Sequence, residues 1–156
     1  TFPKRRVVST RNVIIDWFYR EGLPEDALIT KNTETGTIRI SNPLLTAADL
    51  VQYQQHVGGL SRVATILEEL SEQINMKSQF ASLASFVKKV TWQRLGYILE
   101  HVVEENELAD ELYEQIRNLP GSLMYMPLST SAEYNTSERN SRWKININVQ
   151  IEKDDL

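Results

Sequence analysis

A chain of 156 residues, 41% hydrophobic and 24% charged, has the balance of a globular protein and the length for one sizeable core instead of two. No apolar run approaches the ~20 residues of a membrane-spanning helix, and the lack of cysteine excludes disulfides, thiolate metal sites and thiol catalysis together. The net charge of -4 is uneven, because residues 1–20 carry Lys4, Arg5, Arg6, Arg11 and Arg20 against Asp16 alone.

The predicted elements begin with strands. Residues 6–17 are rich in β-branched side chains (Val7, Val8, Val13, Ile14, Ile15), and 27–30 and 37–41 flank a turn that ends in Gly36. Thr46 with Asp49 three residues on resembles a capping box just after Pro43, opening a helix with Leu50, Val51 and Tyr53 that Gly58-Gly59 terminates. Ser61 is the expected cap of the next helix, on which Val63, Ile66, Leu67, Leu70 and Ile74 recur at helical spacing opposite Glu68, Glu69 and Glu72. Three more helices follow, marked by Phe80, Leu83 and Val87, by Trp92, Leu95, Leu99 and Val103, and by Leu108, Leu112, Ile116 and Leu119 before Pro120-Gly121. A short strand is expected over 123–128, a polar loop over 129–140, and a firm strand over 143–151, where apolar and polar residues alternate.

Strands, helices and strands in that order predict an α+β fold: one domain over 1–156, with a mostly antiparallel sheet of N- and C-terminal strands packed against about five consecutive helices. The last strand is expected to pair with the N-terminal strands or with 123–128.

The catalytic inventory is thin. His56 and His101 are the two histidines, neither falls in a metal motif, and no phosphate-binding glycine loop is present. Gly58-Gly59-Leu60-Ser61 reads as a helix connector. No enzyme activity, cofactor or metal is therefore expected. The acids Glu100, Glu104, Glu105, Glu107, Asp110, Glu111 and Glu114, without an intervening base, read as the solvated face of two helices.

Gly96 in mid-helix costs about 1 kcal/mol relative to alanine and is expected to admit a neighbouring element. On the other side of the same helix Arg94, Tyr97 and His101 form the candidate interaction site, since a guanidinium beside a phenol suits anions or carboxylates. Lys4, Arg5, Arg6 and Arg11 are candidate nucleic-acid contacts, with an edge strand guarded by charge as the plainer explanation.

Three stretches, Asn42-Pro43-Leu44-Leu45-Thr46-Ala47-Ala48-Asp49-Leu50, Gly58-Gly59-Leu60-Ser61-Arg62-Val63-Ala64 and Gln93-Arg94-Leu95-Gly96-Tyr97, together with Trp143-Lys144-Ile145-Asn146-Ile147-Asn148, resemble the C-terminal domain of AbiEi antitoxins over residues 12–156. The resemblance implies a non-catalytic antitoxin of a type IV toxin-antitoxin system, associated with abortive infection and phage defence. It would oppose a nucleotidyltransferase toxin without a stable complex. Family members also carry an N-terminal winged-helix domain that binds operator DNA and represses transcription; a helix-turn-helix of that kind is not legible in this β-rich start, and Thr1 in place of an initiator methionine points to trimming upstream. A DNA-contacting or dimerising module of a transcriptional regulator is the alternative. In either case the expected location is the cytoplasm, with no membrane partner.

Overall fold

The computed structural model describes residues 7–9, 14–15, 17–133 and 138–153. Its elements are β1 (Val8–Ser9), β2 (Ile14–Ile15), β3 (Leu28–Thr33), β4 (Gly36–Ser41), α1 (Pro43–Gln52), α2 (Leu60–Ser71), α3 (Met76–Leu83), α4 (Lys89–Ile98), α5 (Asn106–Arg117), β5 (Met126–Pro127), β6 (Arg139–Asn140) and β7 (Ile145–Asn146). The class is α+β, and the five helices stand in the predicted order.

The strands do not join into one sheet. They form an antiparallel β1–β2 ladder, an antiparallel β3–β4 hairpin, and a three-stranded ladder in the order β5-β7-β6, with β7 parallel to β5 and antiparallel to β6. The C-terminal segment thus returns to residues 126–127 and leaves the N-terminal strands alone. In the hairpin Ile29 faces Ile40 and Lys31 faces Ile38, which puts Ile29, Ile38 and Ile40 on one exposed face. Gly36 at φ 145° supplies the backbone that closes its turn.

Two helix starts differ from expectation. Asn42, extended as a residue before proline prefers, caps α1 by accepting the Leu45 N–H at 2.8 Å, with Pro43 at the first helical position. Thr46 lies one turn inside, where its hydroxyl donates to the Asn42 carbonyl at 3.0 Å. Gly59, at φ 92°, occupies the cap position of α2, and the carbonyl of Ser61 accepts from the Thr65 hydroxyl one turn on. Both shifts follow from the backbone, the fixed φ of Pro43 and the freedom of Gly59 to take positive φ, which overrules the hydroxyl side chains nearby.

The core lies between α1, α2, α4 and α5, with Leu44, Leu45, Leu67, Trp92, Leu95, Ile98, Leu112 and Trp143 buried within it. Helix α4 is central, being buried from Thr91 through Gly96 and again at Ile98 and Leu99. It continues as a π turn over Leu99–Val103, closed by Glu104 in the left-handed region and by a Glu105 N–H to Leu99 carbonyl bond of 2.8 Å. Among the described residues no helix is long and apolar enough to cross a membrane.

The expected strand over 143–151 shrinks to Ile145–Asn146. Lys144 takes φ 53°, which turns the backbone out of extension and lets Trp143 drop into the helical layer. Asn146 is fully buried beside Ile145, so strict alternation of buried and open sides fails there.

Candidate functional site

Helix α4 is built as a comb that holds the C-terminal segment. The amide nitrogen of Gln93 lies 2.9, 2.8 and 3.3 Å from the carbonyls of Met124, Trp143 and Lys144. One residue on, Arg94 is 7% exposed and donates through Nε to the Pro127 carbonyl at 2.9 Å. Burial lowers its pKa from the ordinary guanidinium value. A Cβ at Gly96 would stand 2.0 Å from Cζ3 of Trp143, so this glycine is the notch into which the indole fits.

Glu100, one helical turn further, accepts from the indole Nε1 of Trp143 and from Arg142 at 3.0 Å. Arg142 also bonds Asp110 and lies 4.5 Å over the Tyr113 ring, which itself meets Trp143 edge-on at 5.3 Å. The acidic run is therefore not a plain solvated face: Glu100 keeps only 18% of its side chain exposed, and Glu105 accepts from Ser71. Sequence periodicity had no means of seeing this, because Arg142 lies 42 residues from Glu100.

Of the three candidates on the far side of α4, the structure brings two together. Tyr97 and His101 place their ring centroids 4.8 Å apart at the mouth of a 310 Å³ cleft whose other walls include Glu138, Ile147 and Ile151. The Asn140 side-chain oxygen accepts the Trp143 N–H at 2.8 Å, so its nitrogen faces Nε2 of His101, also at 2.8 Å. That orientation presents an amide N–H of Asn140 to Nε2, which also stands 3.8 Å from the Glu100 carboxylate. Burial, then the charge of Glu138, push the Tyr97 phenol up. Arg94 stands apart from this cleft, committed to Pro127. The basic candidates Lys4, Arg5, Arg6 and Arg11 lie outside the described residues.

A second cavity, of about 860 Å³, opens between α1, the β3–β4 hairpin and the segment that carries Phe18 and Leu23. His56 sits at its rim, with the Phe18 ring 4.7 Å away and edge-on, and Phe18 also meets Tyr53 at 4.9 Å. Inside, Arg20 pairs with Asp49, and its guanidinium lies 4.1 Å over the Phe86 ring. Burial raises the Asp49 carboxyl above its ordinary value, outweighing the attraction of Arg20. Sequence reading had Asp49 as part of a helix cap and Arg20 only as one of several bases. Nothing local links two residues that are 29 positions apart.

Among the described residues no group of three histidine, aspartate or glutamate side chains is placed to hold a metal ion. The sequence pattern of a family described as the AbiEi antitoxin C-terminal domain matches residues 3–101. No curated protein and no solved structure matches the chain significantly. The matched span takes in the hairpin, α1 to α4 and the Tyr97–His101 pair, and stops before α5 and the Trp143 segment, short of the expected 12–156.

Proposed function

The chain belongs to the AbiEi antitoxin C-terminal domain family, and on that premise we propose that it is the toxin-countering part of a type IV antitoxin. In this reading it opposes a cognate nucleotidyltransferase toxin indirectly, through the toxin's substrate or a host factor, and forms no stable complex with the toxin. It is a regulatory protein of the cytoplasm, active in abortive infection, and supports repression carried out by a DNA-binding domain. The match over residues 3–101 is the observation that carries the reading. The geometry is consistent with a non-catalytic role, because Gln93, Arg94 and Glu100 are engaged in holding the C-terminal segment.

The Tyr97–His101 cleft is the surface we assign to contact with the target, since it pairs two partly open aromatic rings with a bonded Asn140. The test is rescue in cells. Co-expression of this chain with the cognate toxin is expected to restore growth, and Tyr97→Ala with His101→Ala to weaken that rescue while the fold survives. Growth as poor as with toxin alone, under conditions where the full-length antitoxin rescues, overturns an autonomous role. Stable co-purification with the toxin would instead refute the indirect mode. For the DNA-contacting alternative, Lys4, Arg5, Arg6 and Arg11 would carry phosphate contacts, and their charge reversal would reduce salt-dependent binding.

A further inference from the structure

The cavity beside α1 lies away from the Tyr97–His101 cleft and has a chemistry of its own. Its walls are mainly apolar, with Leu45 and Leu50 from α1 and Leu28 from β3. Its polar side chains include Arg20, Ser41, Thr46, Asp49, Tyr53 and His56, and of these Asp49 and Ser41 offer acceptor sites that their own contacts leave open. Asp49 pairs with Arg20 through one carboxylate oxygen and keeps 34% of its side chain exposed. Thr46 donates to the Asn42 carbonyl, so in its 2.6 Å contact with Ser41 the Ser41 hydroxyl is the donor and its lone pairs stay available. Arg20, the only lysine or arginine among the described residues lining the cavity, is already placed between Asp49 and the Phe86 ring.

Ring faces complete the arrangement. Phe18, 48% exposed, and Tyr53 stand 4.9 Å apart at the same opening. Asp49 and Tyr53 also belong to the last turn and C-cap of α1, where the helix dipole is negative. Aromatic faces, an open carboxylate and a helix C-terminus all attract positive charge, and an apolar wall beside them attracts hydrocarbon. We propose that this cavity binds a small amphipathic organic cation, with its ammonium head at Asp49, Phe18 and Tyr53 and its hydrocarbon body against Leu28, Leu45 and Leu50. A volume of about 860 Å³ falls in the range that holds one small ligand. The Asp49 carboxylate, which Arg20 meets through one oxygen, gains a second positive partner on binding, which favours a cation over a neutral or anionic molecule of the same size.

Octylammonium, octanoate and 1-octanol, which share a chain and differ in head group, separate the possibilities. Calorimetric titration of the 156-residue chain is expected to show octylammonium bound at least about tenfold more tightly than the other two. Asp49→Asn is expected to erase that preference. Phe18→Leu, at an exposed rim position that does not threaten the fold, should weaken octylammonium several-fold. The proposal is overturned if octanoate or octanol binds as tightly as the cation, if none binds up to about 10 mM, or if Phe18→Leu leaves the cation's affinity unchanged. Should Asp49→Asn unfold the chain, the head-group comparison and the Phe18 variant decide the matter.

Discussion

At the scale of single residues the chain turns on Gly96 and Asp49. Alanine at position 96 gains about 1 kcal/mol of helix propensity, yet its Cβ meets the Trp143 ring at 2.0 Å, far inside contact distance. Overpacking of a rigid ring between buried helices costs more than that gain, so Gly96→Ala is expected to lower stability by about 2 kcal/mol net in chemical denaturation. Trp143→Leu in the same chain relieves the clash, and the double variant should cost clearly less than the sum of its parts. Asp49 behaves in the opposite sense to an ordinary ion-paired acid. Because its folded pKa lies above the unfolded value of 3.8, its contribution is complete below that value and is lost as pH rises through the folded pKa. Asp49→Asn should therefore flatten the fall in unfolding free energy as pH rises above 3.8. A pH profile as steep as the parent's would contradict burial as the dominant influence on this carboxyl.

At the scale of elements, periodicity was a good guide and local punctuation a poor one. Five helices follow from apolar spacing, because a buried helix face repeats every three to four residues whatever else the chain does. Their caps were misread at Thr46 and Ser61, where Pro43 and Gly59 set the backbone first. Asn42→Ala is expected to destabilise the chain by about 1 kcal/mol, a fall in Tm of roughly 2–4 °C, whereas Ser61→Ala should have no cap to remove. The β3–β4 hairpin is weakly held, since every residue from Ile29 to Ile40 is exposed. Hydrogen exchange in β3 and β4 should be orders of magnitude faster than in α4, whose amides lie in the buried centre. Equal protection in the two elements would mean that the Ile29, Ile38 and Ile40 face is covered in solution.

At the scale of the whole molecule, the family match and the packing unit have different limits. The match ends at residue 101, but α4 within it is sealed by Trp143, Leu112, Ile116 and Ile145 from beyond that point. A chain cut after residue 101 would leave Trp92, Leu95 and Leu99 without that cover, together with the unmet hydrogen bonds of Gln93 and Arg94. Such a fragment is expected to lose cooperative thermal unfolding, and a sharp transition in the truncated chain would show that the C-terminal segment is an accessory. The same packing explains why Gln93, Arg94, Gly96 and Glu100 sit together in sequence: they lie along the length of α4 and its π turn that meets one returning segment.

By itself, then, the sequence determined the α+β class, the order and rough extent of five helices, the connector role of Gly58-Gly59 and the packing purpose of Gly96, all of which rest on local propensity or on periodic burial. It also carried the family resemblance. Only the tertiary structure decided that Trp143 fills the glycine notch, that Arg94 turns to Pro127, that Asn140 meets His101, and that Arg20 meets Asp49 in a cavity. Those contacts join residues 29 to 50 positions apart, and no local rule of backbone or side chain specifies which distant partners chain closure will bring into contact.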